Sequence, residues 1–300
     1  MVYATQLSSY LYCPRKLFIS NVLLIEEAPK QELVKGEVWH KTFEWLNKHE
    51  QSIVKSLKSA DYKEISDIYR KEFAKELRNS ILAKKHELKQ FEIKPVDLFK
   101  EYWPSFDQEA KVRAWNVASF IMKSKLTGDE LWEKLTPKIL SEQHFRSDKL
   151  KLSGIIDMLE IHDNKLYIPV ELKTGKVPDG KNAMWPGHRM QLAVYMMLLE
   201  DAGKQVVEGH LKYKDDEENR ILVINSMLKD EVLELAKEVE LTIHSFELPT
   251  RIDNMKKCDK CSYKEQCYND ETMEMLVEQA RSGKISKQNA NGMSISENKP

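Results

Sequence analysis

LSGIIDMLEIHDNKLYIPVELK, residues 152–173, carries both the fold and the chemistry of this chain. Two apolar runs flank the polar pair Asp163–Asn164, a pattern that predicts two strands joined by a turn. Side chains alternate across a strand, so Glu171 and Lys173 face one way while Leu172 points into packing. Asp157 closes the apolar run SGIID on the first strand. Reflecting position 171 about a turn at 163–164 lands on 156 or 157, which brings Asp157 opposite the Glu171–Lys173 pair. Two carboxylates then converge with an ammonium beside them. Hard divalent cations such as Mg²⁺ and Mn²⁺ take oxygen ligands of this kind. Such a cation polarises a phosphate and activates water, while the lysine orients that water and offsets developing charge. A Glu-x-Lys pair is common where 32% of residues are charged. Here, however, the carboxylates sit in apolar runs, which places them at a cleft and not on open surface.

Outward from this hairpin, ILSEQHF precedes it as a third strand, and VEGHLKY and RILVINS follow as two more. Residues 190–201 read as a helix between them, and LKDEVLELAKEVELTIHSF as a long amphipathic helix after them. From residue 36 to 135 the apolar spacing is largely helical, with Pro95 and Pro104 expected to separate helices. The first segment, ATQLSSYLYCPRKLFI, reads as a short helix broken near Pro14. This order predicts an α/β core with a mixed sheet flanked by helices. The expected division is an N-terminal segment (1–40), a helical insertion or lobe (41–137), the core (138–250), a cysteine segment (251–281) and a disordered polar tail (282–300).

Forty-seven Lys and Arg nearly cancel 48 Asp and Glu. A global basic field is absent, so any nucleic-acid contact must come from local clustering. The start of the chain lacks a signal segment, and the longest apolar stretch, LAVYMMLL, is too short to span a bilayer. The expectation is a soluble, cytoplasmic protein with no membrane partner. The four cysteines are Cys13 and then Cys258, Cys261 and Cys267, a pattern that in a reducing compartment fits a metal or cluster better than disulfides. Gln191 and Tyr195, four apart on one helix face, are placed to support the carboxylate site. His40 is a candidate further metal ligand, against the plainer reading of a surface histidine.

Taken in order, GEVWH (36–40), GIID (154–157), ELK (171–173) and QLAVY (191–195) resemble the RecB-type branch of the PD-(D/E)XK nucleases, with its restriction-endonuclease-like core. The resemblance implies a metal held by His40, Asp157, Glu171 and the Leu172 carbonyl, with Lys173 as the catalytic lysine. It implies that Gln191 and Tyr195 support the site and contact DNA, and that Glu142 is an additional acidic position. The split cysteine set is similar to the iron–sulfur subset of these nucleases, which includes the CRISPR-associated exonuclease family (Cas-four), the AddB nuclease domain and a replication nuclease–helicase. In that subset Cys13, Cys258, Cys261 and Cys267 would hold a 4Fe–4S cluster; a structural Zn²⁺ suits four thiolates as well.

The chain has no G-x-x-x-x-G-K-S/T phosphate loop, so the expectation is a standalone nuclease with no helicase attached. The implied activity is 5′-to-3′ exonuclease action on single-stranded DNA, with endonuclease activity as an extension, in the trimming of overhangs during CRISPR spacer acquisition beside the integrase complex. The alternatives are a RecB-like repair or phage nuclease outside CRISPR, or a non-catalytic, cluster-stabilised DNA-binding or adaptor protein. Trp185 and Tyr195, near Lys181, His188 and Arg189, are candidates to stack bases and grip phosphates. The long helical stretch between His40 and Glu142 departs from compact members of the family.

Overall fold

A computed structural model describes residues 1–215 and 218–283, the side chain of Asn164 excepted. All but the first two residues of the expected disordered tail lie outside the described residues, as does part of the acidic turn after Asp215.

Strand β1 (Val2–Tyr3) leads into helix α1 (Ala4–Tyr12); Cys13 is extended, and Pro14 starts α2 (Pro14–Asn21). The break matches expectation, because Pro supplies no N–H to continue a helix but fits its first turn. Five helices follow: α3 (Gln31–Ser56), α4 (Tyr62–Ala83), α5 (Lys85–Gln90), α6 (Pro95–Ser124) and α7 (Gly128–Lys134). Pro95 does begin a helix, but Pro104 does not end one. It lies inside α6, where Leu98, Tyr102, Phe106, Ala110, Ala114 and Val117 form one buried stripe. An interior proline costs about 3 kcal/mol; burial of that stripe on both sides of it holds the helix together.

The sheet is built from β2 (Lys138–Ser147), β3 (Leu152–Ile161), β4 (Tyr167–Lys173), β5 (Glu208–Tyr213) and β6 (Glu218–Val223), with α8 (Pro186–Asp201) crossing over between β4 and β5. Then come α9 (Ser226–His244), α10 (Met255–Asp259), α11 (Lys264–Tyr268) and α12 (Asp270–Arg281). Strand order is β1-β3-β4-β5-β6, and β2 pairs the other edge of β3. β1–β3 and β4–β5 are parallel and the remaining pairs antiparallel, so the sheet is mixed as expected.

Helices cover both faces. One core joins α3, α4, α6 and α7 to Met158, Ile168, Val170 and Leu172 of the sheet. The other joins α1, α8 and α9 to Leu152, Ile156, Leu159 and Leu211. A third, smaller cluster packs Phe18 and Ile19 of α2 and Leu23 just beyond it against Tyr263, Met273 and Leu276 near the other end of the chain. The helical block is tied internally by buried Arg113, whose Nη1 donates to Glu50 Oε2 and whose Nε donates to Glu109 Oε1, both at 2.9 Å. No helix among the described residues is long and apolar enough to cross a membrane.

Candidate active site

The site lies where β3 and β4 part. Their ladder runs from Ile161↔Tyr167 to Met158↔Val170 and then stops, while β4 continues along β5 as Glu171↔Leu211, Leu172↔Lys212 and Lys173↔Tyr213. The same edge of β3 is taken up again by β1 at Leu152 and Ser153. Between these two partners Asp157 faces a gap. Its Oδ2 accepts the Leu172 N–H at 2.9 Å, a donor the departed strand leaves free. The joining segment is a 3-10 turn at Asp163–Lys165, and continuing the observed register puts Asp157 opposite Glu171. Asp157 does not end its strand, however: β3 runs on to Ile161.

The reason is a slip in alternation. Leu152 and Ile156 pack with α8, and so does Leu159, whereas Met158 packs on the opposite face. The pattern shifts by one residue at Asp157. Opposite it, Glu142 has φ 50°, a left-handed conformation that costs a non-glycine residue about 1–3 kcal/mol. Such strain is retained where surrounding structure fixes it, and it occurs here beside the two carboxylates.

Alternation along β4 places Glu171 and Lys173 on the α8 side. Lys173 Nζ donates to Glu171 Oε1 at 2.7 Å and to Gln191 Oε1 at 3.0 Å. Gln191 Nε2 donates to the same Glu171 oxygen at 2.7 Å and to the Tyr195 hydroxyl at 2.8 Å. Glu171 Oε1 is therefore doubly held, while its Oε2 is buried without a partner. An unmet acceptor of this kind costs about 1–3 kcal/mol unless something comes to it. His40 projects from α3 with Nδ1 3.4 Å from Asp157 Oδ2, so it is no isolated surface histidine.

Burial and the neighbouring Asp157 push Glu171 up to about 7, against the pull of Lys173. Burial also presses on Asp157, but the His40 hydrogen bond and charge, the Leu172 N–H and Lys173 hold it below the ordinary value. His40 is raised, because Asp157 and Glu171 outweigh its burial. Glu142 is raised by burial, by Asp157 and by Glu44 of α3. Buried carboxylates this close resist joint ionisation, and a divalent cation is the usual remedy. The orphaned Glu171 oxygen and the His–Asp–Glu donor set fit such an ion.

Tyr195 is 1% exposed, so base stacking is closed to it; its role is to anchor Gln191. Gly154 makes room for its ring, since a Cβ there would lie 2.6 Å from Tyr195 Cε1. Gly154→Ala is expected to destabilise the fold by about 1–3 kcal/mol through overpacking, read as a lower urea midpoint with unchanged m-value. His188 donates to or accepts from Tyr213 through Nδ1 at 2.9 Å, and burial and Lys173 press it down to about 3. It is neutral and no phosphate cation. Arg189 is committed to Glu231 at 2.7 Å. Trp185 remains 47% exposed, its indole N–H donating to the Lys176 carbonyl.

All four cysteines are free thiols lining one cavity with Arg15, Lys16, Arg251 and Lys257. Cationic walls suit an anionic group held by thiolates. Arg15, which drew no notice in the sequence, is buried and donates to the carbonyls of Pro249 (3.1 Å) and Cys267 (3.3 Å), fastening the two ends of the chain. Tyr12 adds a bond from its hydroxyl to the Lys257 carbonyl at 2.9 Å. Among the described residues no group of three His, Cys, Asp or Glu side chains is arranged to hold a metal ion.

The strand fork thus brings Asp157, Glu171 and Lys173 together beside Gln191 and Tyr195 of α8. The family model of the PD-(D/E)XK nuclease superfamily matches residues 4–268, and the chain belongs to that superfamily. More particularly, it is similar to the CRISPR-associated exonuclease Cas4 of Rhodospirillum rubrum, 30% identical over 125 residues that make up 42% of this chain and 37% of that one. A Cas4/endonuclease Cas1 fusion of the same organism matches at 30% over 42% of this chain and 21% of its own length. Cas4 of Francisella tularensis subsp. novicida is 24% identical over 41% of this chain and 59% of its own. The matched stretch thus spans under two thirds of each of these relatives.

Proposed function

We propose that this chain is a divalent-metal-dependent deoxyribonuclease that removes nucleotides from single-stranded DNA in the 5′-to-3′ direction, with Mg²⁺ or Mn²⁺ held by His40, Asp157, Glu171 and the Leu172 carbonyl. The observation that carries the reading is the convergence of Asp157, Glu171 and Lys173 at the strand fork, with one buried Glu171 oxygen left unpartnered. When bound, the cation would supply Lewis acidity toward a phosphate and lower the pKa of water. The rest falls to the chain's own groups. Gln191 fixes Lys173 and Glu171 relative to each other, and Tyr195 fixes Gln191. The Lys173 ammonium, held beside Glu171, is placed to orient a nucleophilic water and offset charge on the phosphate.

Cys13, Cys258, Cys261 and Cys267 would hold a 4Fe–4S cluster that joins the chain's ends; their common basic cavity supports this assignment. By similarity to the Cas4 and Cas4/Cas1 relatives, the reading extends to trimming DNA overhangs in CRISPR spacer acquisition, in company with the integrase. The direct test is cleavage of end-labelled single- and double-stranded oligonucleotides with Mg²⁺, Mn²⁺ or EDTA. Metal-dependent progressive shortening of 3′-labelled single strands is expected, with a 5′ label released at once in small products. Intact substrate under every metal would end the nuclease reading.

A further inference from the structure

One turn beyond His40 on α3, Glu44 bridges two lysines, Lys41 at 2.9 Å and Lys48 on the next turn. Both ammonium groups lie over the Trp45 ring, 5.3 and 5.9 Å from its centroid, and the His49 ring leans against it at 5.6 Å. Trp45 is 39% exposed and takes no part in the buried stripe of α3, which runs through Val38, Thr42, Phe43 and Leu46. The cluster continues along α3 from the catalytic cleft: His40, whose Nδ1 lies 3.4 Å from Asp157 Oδ2, is one turn before Glu44. Four-residue steps line His40, Glu44 and Lys48 along one stripe of α3, and Trp45 flanks that stripe three residues before Lys48.

We propose that Trp45, with Lys41 and Lys48, is a stacking platform that grips a single nucleic-acid strand as it leads into the cleft, an inference that rests on the nuclease reading above. Every base has a π-face, so an exposed indole binds without regard to sequence, but only where bases are unstacked. That selects single strands over duplex. Lys41 and Lys48, held over the ring, place two ammonium groups where the backbone of a stacked strand would pass, although the chain as a whole carries a formal net charge of −1. Trp45 is a positioning residue here; it touches neither Asp157 nor Glu171.

The test measures fluorescence anisotropy of labelled oligothymidylate on the full chain in EDTA, followed by cleavage kinetics with Mn²⁺. Trp45→Ala is expected to weaken single-strand binding about tenfold or more and to raise KM with kcat retained. Trp45→Phe should restore most of the affinity, since a ring remains. The Lys41→Ala/Lys48→Ala double variant should flatten the salt dependence of binding. Hydrolysis of thymidine 5′-p-nitrophenyl phosphate, too short to reach the platform, should not change in any of these. Trp115→Ala is the control: it is 58% exposed and, among the described residues, has no lysine over its ring.

Equal binding by wild type and Trp45→Ala overturns the platform while leaving the nuclease reading intact, provided wild type still cuts. An equal loss in Trp115→Ala overturns it too, because the effect would then be a general one of surface aromatics. A fall from dimer to monomer on Trp45→Ala, with binding unchanged, would assign this face to a second copy of the chain. Wild type that neither binds nor cuts would remove the nuclease reading first.

Discussion

Lys173→Ala is expected to slow DNA cleavage by about 10²–10³-fold with the fold retained. The Lys173 ammonium is one of two donors on Glu171 Oε1; the other, Gln191 Nε2 at 2.7 Å, belongs to α8 and is itself held by Tyr195. The carboxylate therefore keeps an anchor, and the variant should fold. What it loses is a positive charge in a site where burial and Asp157 already push Glu171 up to about 7. Without Lys173 that push is unopposed by its nearest counter-charge, so Glu171 should hold its proton to higher pH and metal loading should shift upward in pH as the rate falls. Titration with Mn²⁺ separates the two effects: saturating metal recovers the binding part and leaves the chemical part. Lys173→Arg keeps the charge but spreads it over a wider planar group, and is expected to rescue metal affinity more than rate. Wild-type rates in purified Lys173→Ala would show that another residue, or a contaminant, does the cutting.

The pH dependence of metal loading follows from the same arrangement. Glu171 must be ionised to bind a cation, and its value in the metal-free protein is about 7. Loading should therefore weaken as pH falls through that value and release protons above it only in small number. Isothermal titration in two buffers of different ionisation enthalpy measures the proton count directly.

Much of this site was legible in the sequence because its parts are tied to regular structure. Glu171 and Lys173 are two apart on a strand, and Gln191 and Tyr195 four apart on a helix; both spacings fix a shared face without knowledge of the rest. The strand fork was not legible. Nothing in IIDMLEI announces that alternation slips at Asp157, because Ile, Met and Leu suit either face of a sheet covered on both sides. The left-handed Glu142 opposite it is equally silent in a sequence, since no glycine or asparagine marks the place. Pro104 misled for the converse reason: local propensity argues for a break, and the long buried stripe of α6 overrides it. Arg15 escaped notice because its partners are backbone carbonyls more than 230 positions away, which have no side-chain signature.

With the proposed cluster in place, Cys13→Ala is expected to abolish its colour and to lower the stability of the chain by several kcal/mol, the larger structural effect of any single substitution considered. A cluster bridging Cys13 to Cys258, Cys261 and Cys267 would close a loop comprising most of the protein, and a cross-link over so long a loop is worth about 5 kcal/mol in the chain-entropy account. The full value should not appear. Arg15, Tyr12 and the apolar contacts of α2 with Tyr263, Met273 and Leu276 already hold the two ends together, so part of the closure survives without the cluster. Arg15→Ala alone should therefore cost less than Cys13→Ala, and the two together more than their sum, because each restrains the same opening. Thermal melts of the four proteins, with iron and sulfide assayed in each, measure this coupling. A colourless wild type containing one zinc would replace the cluster by a tetrahedral ion and leave the coupling argument standing. Additive effects of Arg15→Ala and Cys13→Ala would refute it, since the termini would then be held by two devices that do not share a load.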